Sequence, residues 1–332
     1  MADDQALSII KIAERVPTEA AAYEFLEQLR WHGEPVCPHC GSINEHYFLK
    51  PRNGVTRETN RGSQTQRRLW KCKDCRGQFS VLTGTIMQGT HIKIRTWIFV
   101  FFEMVANKNG LAAREVERKY ELSPKSAWFL LHRVREAMKR EPAAGLLAGV
   151  IVADETWIGG KPKNKHQQGK PRPGSSRYAS GTPKHMVPVL SLVNTTTGEV
   201  RSQVVADVGR DSLRRVINEQ VNAPESVLHT DGHKAYRQIG ATFQSHEWVD
   251  HEHREYVRGE VSTNAAEGYF SQLKRSIDGT HHHVSRTHLP RYLAEFDFRY
   301  STCDETDTAR MARLMGQVAG RRLTFRPLTD ES

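Results

Sequence analysis

The chain has 332 residues, enough for roughly two or three domains, and its most apolar stretch, 97–104, already contains Glu103, so no run of it is suited to crossing a bilayer. With 48 Lys and Arg against 38 Asp and Glu, the formal charge is +10. That excess favours a polyanionic partner, nucleic acid ahead of an anionic membrane, over an acidic small molecule.

The N-terminal Met-Ala-Asp-Asp is acidic and lacks a signal-peptide pattern, so a cytoplasmic protein is expected. Residues 4–31 read as an amphipathic helical entry, broken at Val16-Pro17-Thr18 and restarted by Thr18 and Glu19. This entry is assigned to 1–35 and carries no chemistry.

Two Cys-x-x-Cys pairs follow, Cys37-Pro38-His39-Cys40 and Cys72-Lys73-Asp74-Cys75, while Cys303 stands alone. An odd cysteine total with four in knuckles argues for metal ligation over a disulfide framework, hence for a reducing compartment. Each knuckle offers two thiolates to one tetrahedral Zn²⁺, and Gly41 and Gly77 suit the turns that aim them. With short strands expected at Gln66–Trp70 and Gln78–Leu82, residues 36–84 form a zinc ribbon holding one structural ion. Lys50, Arg52, Arg57, Arg61, Arg67, Arg68 and Lys71 give it a basic face, which serves either for phosphate contact or for solvation alone.

Residues 91–140 read as three helices: 92–106, 112–120, and one started by Ser123 as N-cap with Pro124 at the first helical position. The last carries Ala127, Trp128, Leu130, Leu131, Val134 and Met138 at helical spacing, with Lys125, Arg133 and Arg135 elsewhere on it. This is a helix-turn-helix pattern, assigned to 90–142, in which Lys125, Arg133 and Arg135 are candidate DNA contacts. The plain alternative is a helical hairpin whose cations only solvate it.

From 148 the pattern changes. A buried strand runs from Gly149 to the carboxylates Asp154 and Glu155, and strands are expected at 187–193 and 199–205. A helix over 210–221, a strand at 227–231 and a helix over 264–276 complete an α/β layered fold over 148–302, with 303–332 as a C-terminal tail. The segment 159–185, with Lys161 and six further cations and no acid, reads as a basic insertion, either a DNA-ordered arm or a simple disordered loop.

Asp154 and Asp231 close two strands, and Glu267 lies near a helix start. Carboxylates converging on one sheet edge suit Mg²⁺ or Mn²⁺, and a pair of such ions about 4 Å apart serves in-line phosphoryl displacement. Lys274 stands about two helical turns beyond Glu267 on the same face, and with Arg275 it is a candidate DNA-positioning group. The spacing Asn264-x-x-Glu267 also fits a capping box, which would occupy the glutamate. Glu155 follows Asp154 directly and must point to the opposite face of a regular strand. Cys303 is expected to be a core thiol of an apolar helix over 289–302, and the histidines at 251, 253 and 281–283 are read as loop residues or phosphate contacts.

The strings Val152-Ala-Asp154-Glu-Thr-Trp157-Ile-Gly-Gly160-Lys161, His229-Thr-Asp231-Gly-His-Lys-Ala-Tyr236 and Thr263-Asn264-Ala-Ala-Glu267-Gly-Tyr-Phe-Ser-Gln-Leu-Lys274-Arg275 resemble the three motifs of bacterial insertion-sequence DDE transposases. The group resembled has an N-terminal zinc ribbon, a helix-turn-helix and a ribonuclease-H-like catalytic domain, a mixed sheet flanked by helices. The resemblance spans roughly residues 20 to 300. It implies cleavage at terminal inverted repeats and strand transfer into target DNA, with Asp154, Asp231 and Glu267 as ligands of two Mg²⁺ or Mn²⁺ ions. Some relatives carry asparagine at the third position, which leaves Asn264 as the alternative ligand. Double-stranded DNA, a homo-oligomer on that DNA, and a nucleoid-associated bacterial setting follow from the same resemblance. The rival readings are a DNA-binding regulator, a nuclease that cuts without joining, and an inactive transposase descendant.

Overall fold

A computed structural model describes residues 6–43, 46–50, 68–140, 145–159, 186–250, 253, 255, 257–259 and 261–329. The chain divides into two compact units, 1–141 with 302–332, and 142–301. No helix among the described residues is long and apolar enough to cross a membrane.

In the first unit, α1 (Ile9–Arg15) and α2 (Glu19–Trp31) start at Ser8 and Thr18, whose hydroxyls accept the Lys11 and Ala21 amides. Three short antiparallel strands follow: β1 (His46–Phe48), β2 (Trp70–Cys72) and β3 (Gln78–Phe79). The helices α3 (Ile94–Ala106), α4 (Ala113–Tyr120) and α5 (Pro124–Met138) match the expected three. Lys93 gives α3 no side-chain cap, and Glu19 of α2 takes that role, accepting the Ile94 and Arg95 amides at 2.5 and 3.2 Å. At the start of α5, Ser123 accepts the Ser126 amide ahead of Pro124, as the sequence predicts.

The second unit opens with β4 (Leu147–Ile158), β5 (Val187–Asn194) and β6 (Val200–Val204), then α6 (Arg210–Gln220), β7 (Val221–Asp231), α7 (Tyr236–Gly240) and β8 (Ser245–Val249). A small hairpin, β9 (Val257–Arg258) and β10 (Val261–Ser262), precedes α8 (Asn264–Ser276) and α9 (Leu289–Ser301). The five-stranded sheet has the order β6-β5-β4-β7-β8, with antiparallel pairs on one side of β4 and parallel pairs on the other.

Because successive strand residues alternate faces, the sheet is covered twice. Ile151, Ala153, Leu190 and Leu228 pack with Leu213, Val216, Ile217 and Tyr236 on the α6–α7 side. Val152, Ile158, Val189 and Val193 pack with Ala266, Tyr269, Phe270, Leu273 and Phe296 on the α8–α9 side. A polar chain crosses this second layer. Ser191 and Ser202 share a hydroxyl hydrogen bond of 2.8 Å, Ser202 Oγ donates to the Tyr269 hydroxyl, and Tyr269 donates to Asp297 Oδ1 at 2.6 Å.

Burial pushes the Asp297 carboxyl up to about 7, against the opposing bonds from Tyr269 and Ser202. The unfolded chain releases this proton near the ordinary carboxyl value and the folded chain holds it to about 7, so stability falls as pH rises from about 4 to about 7. Asp297→Asn is expected to remove a slope of up to about 1.4 kcal/mol per pH unit within that window. Urea midpoints of the two proteins at pH 5 and pH 7 measure it, and identical pH slopes would contradict it.

The residues assigned to a tail include α10 (Asp307–Gly316), which packs on α3 and α2 within the first unit, and α11 (Phe325–Thr329). Cys303 differs from expectation: α9 ends at Ser301 and the thiol beyond it is exposed.

Candidate active site and metal centre

Among the described residues, the tightest cluster of side chains that could hold a metal is made of four cysteines. Cys37, Cys40, Cys72 and Cys75 place their sulfurs all within 4.8 Å of one another. Two of the sulfur separations are 3.6 and 3.7 Å, close to the edge of about 3.8 Å that a tetrahedron of 2.3 Å Zn–S bonds requires. The first knuckle is closed by the Gly41 amide on the Cys37 carbonyl, with Gly41 at φ +76. In the second, a Cβ on Gly77 would lie 2.8 Å from the exposed His39 ring and 3.2 Å from Cys75 Sγ, so a larger residue would have to displace that ring and crowd the thiolate. The donor set and the spacing therefore fit zinc.

The carboxylates are positioned by strand pairing. The β4–β7 ladder is parallel and ends at Val152↔His229. Two residues further along each strand stand Asp154 and Asp231, abreast at the point where the backbones part, each half-buried. Asp154 Oδ1 accepts the Glu155 amide at 2.7 Å, and Asp231 Oδ1 accepts the His233 amide at 3.0 Å.

Asp154 shares its face with Val152, toward α8, whereas Glu155 turns to the α7 side and accepts the hydroxyl of fully buried Tyr236. Burial pushes the Glu155 carboxyl up to about 8; Tyr236 opposes this, and the charges of Asp154 and Asp231 add to it. Glu155 thus feels the charge of both aspartates from the other face of the strand, and a cation held by Asp154 and Asp231 would relieve it.

Glu267 lies on α8, whose Ala266, Tyr269, Phe270 and Leu273 pack on the sheet face that Asp154 shares. The oxygens of Asp154, Asp231 and Glu267 do not all lie within 4.8 Å of one another; among the described residues only the cysteine cluster does so. The capping box expected from Asn264 is not formed. The helix begins one residue earlier than that box needs, with Thr263 as N-cap and its carbonyl accepting the Glu267 amide, so Asn264 is already inside the helix. Asn264, Glu267, Lys274 and Arg275 are all exposed. Lys274 lines a pocket of about 540 Å³ with Trp157, Gly159, Met186, Asp278 and His283.

Of the cations assigned to DNA on α5, Lys125 is exposed at the helix start. Arg133 and Arg135 are buried, a correction to their expected place on a groove-reading face. Arg133 lies 5.1 Å from the Trp97 ring centroid and donates to the Gln88 carbonyl at 2.7 Å, so packing inside the unit consumes it. Lys161 lies outside the described residues, as does 160–185 as a whole.

Residues 146–301 match the ISXO2-like transposase domain, and residues 17–78 match the transposase zinc-ribbon domain. The two matches follow one another along the chain, the zinc ribbon first. The transposase-domain match coincides closely with the second compact unit. The chain is also similar to an uncharacterized protein in transposable element ISH50 of Halobacterium salinarum, 26% identical over 285 residues, covering 85% of this chain and 90% of that protein.

Sequence reasoning missed the pairing of Tyr236 with Glu155, because nothing in the local pattern announces a tyrosine on a helix reaching back to a neighbouring strand. It also passed over Lys234 and Arg237, which sit in or beside the second motif.

Proposed function

We propose that this protein is a DNA transposase that cleaves the terminal inverted repeats of an insertion sequence and joins the freed ends to target DNA. The observation that carries the reading is the parallel register of β4 and β7, which sets Asp154 beside Asp231 at a sheet edge within a domain of the transposase family. Asp154 and Asp231 supply hard oxygen donors side by side, and Glu267, in the first turns of α8 on the same sheet face, is the third donor, with Asn264 as the alternative. Mg²⁺ or Mn²⁺ bound there would polarise the scissile phosphodiester and favour deprotonation of the attacking water or 3′-hydroxyl. Lys274, on the same side of α8 as Glu267, neutralises phosphate next to the acids, and Lys125 at the exposed start of α5 meets the DNA backbone.

The test is incubation of the purified protein with labelled inverted-repeat DNA, Mg²⁺ and a plasmid target. Joined products that require the metal are expected. Cleavage without joining would assign a nuclease instead, and sequence-specific binding with no metal-dependent chemistry would overturn the enzymatic reading.

A further inference from the structure

The carboxylates have a second cationic flank, on the side of the sheet away from α8. At the end of β7 the chain turns through Gly232–Ala235 into α7, and beside this turn the loop before α6 opens a trough of about 690 Å³. Its lining includes Arg210, His233, Lys234 and Arg237, with Asp207 as the one acid. Asp207 is occupied in closing its own turn, accepting the Gly209 amide at 2.7 Å. Arg210 is held by Asp211 at 2.9 Å and by Gln238 at 2.7 Å, which ties α6 to α7 and fixes the trough's width. Lys234 and Arg237 are exposed and, among the described residues, make no ion pair or side-chain hydrogen bond.

Cations lining a concave surface add their fields there and favour an anion, more so because Lys234 and Arg237 have no acidic partner among the described residues to neutralise them. The trough is also physically joined to the carboxylates. His233, part of its wall, donates its amide to Asp231 Oδ1 at 3.0 Å. Whatever anion lies in the trough therefore passes one short turn from the acidic edge, while Lys274 stands on the other side of that edge.

We propose that this trough is a binding site for the phosphate backbone of double-stranded DNA, with Lys234 and Arg237 as its phosphate contacts. The assignment rests on the catalytic reading only for what the DNA does next; the binding itself does not depend on it. A strand crossing the acidic edge is then held on both flanks, by Lys274 on the α8 side and by Lys234 and Arg237 on the α7 side. Such contacts fix the path of the backbone and carry no sequence information.

The test uses the full-length protein and a random-sequence 30-base-pair duplex, with binding followed by fluorescence anisotropy across a salt series. For the double variant Lys234→Glu with Arg237→Glu, the slope of log affinity against log salt is expected to fall by about 2, one unit for each phosphate no longer neutralised. The charge-conserving pair Lys234→Arg with Arg237→Lys keeps the wild-type slope. Thermal melting shows that the variants fold, as two exposed side chains permit. A slope unchanged in the folded reversal variant overturns the site.

The strand-transfer assay then distinguishes the two sources of DNA. End cleavage retained with joining abolished places target DNA in the trough, and loss of both places the element end there. If the wild-type protein shows no metal-dependent chemistry while the salt slope still falls, the proposed function fails and the DNA site stands.

Discussion

Asp154→Asn and Asp231→Asn are each expected to lower strand joining by on the order of 10³-fold or more while leaving DNA affinity and thermal stability close to wild type. Asparagine keeps the shape and the acceptor oxygen, so the Glu155 amide still has a partner at position 154 and the His233 amide at position 231. What is removed is one negative charge and one hard anionic donor. Glu155→Gln is the informative contrast. Its side chain faces the opposite side of the strand and accepts the Tyr236 hydroxyl, an interaction glutamine can preserve. Joining in that variant should stay within about tenfold of wild type, because a removed catalytic donor costs about 10²–10³-fold and a conserved hydrogen bond does not. Quantified joined product in Mg²⁺, alongside anisotropy binding curves, reads both quantities. Joining by Asp154→Asn at near wild-type levels would sink the assignment.

Much of this site is legible in the sequence because its informative residues are local. A buried apolar run leading into carboxylates specifies a strand, and β4 forms there, but it does not close at them: Asp154 and Glu155 lie inside it, and its pairing with β5 continues to Ile158. The Ser123-Pro124 start of α5 is equally readable, since a cap is decided within four residues.

The misses share a different cause: most depend on a partner far along the chain. Arg133 has the spacing of any surface cation on a helix, and Trp97 and the Gln88 carbonyl are what cover it. β8 escapes notice because Ser245–Val249 is polar and gains its place from parallel pairing with β7. The helix α10 beyond Cys303 is invisible as part of the first unit, since only tertiary contact with α2 and α3 places it there. The Asn264–Glu267 capping box fails for a local reason, because Thr263, one residue upstream, takes the cap position.

The ribbon should be the part of the molecule most dependent on a single ion. Its strands β1, β2 and β3 span three, three and two residues. A sheet that short does not stand alone in water. Its apolar support is a few aromatic contacts, Phe79 against Trp31 at 5.9 Å and Phe48 against Trp70 at 5.6 Å, with Glu27 receiving the Trp70 indole N–H at 2.8 Å. Zinc bound by four thiolates contributes about 10–16 kcal/mol to such sites, as much as the whole stability of a typical domain of about 5–15 kcal/mol.

Cys40→Ser, or zinc extraction by a strong chelator, is therefore expected to unfold the ribbon while the five-stranded sheet of the second unit persists. Colorimetric release should give one zinc per chain, and amide spectra should lose dispersion for residues around β1–β3 but not for β4–β7. Cys303→Ser is the control, because that exposed thiol lies outside the cluster and its removal should change neither reading. Retained dispersion across 36–80 after complete zinc removal would mean that the aromatic contacts and the Glu27 bridge suffice, and that the metal is not what folds the ribbon.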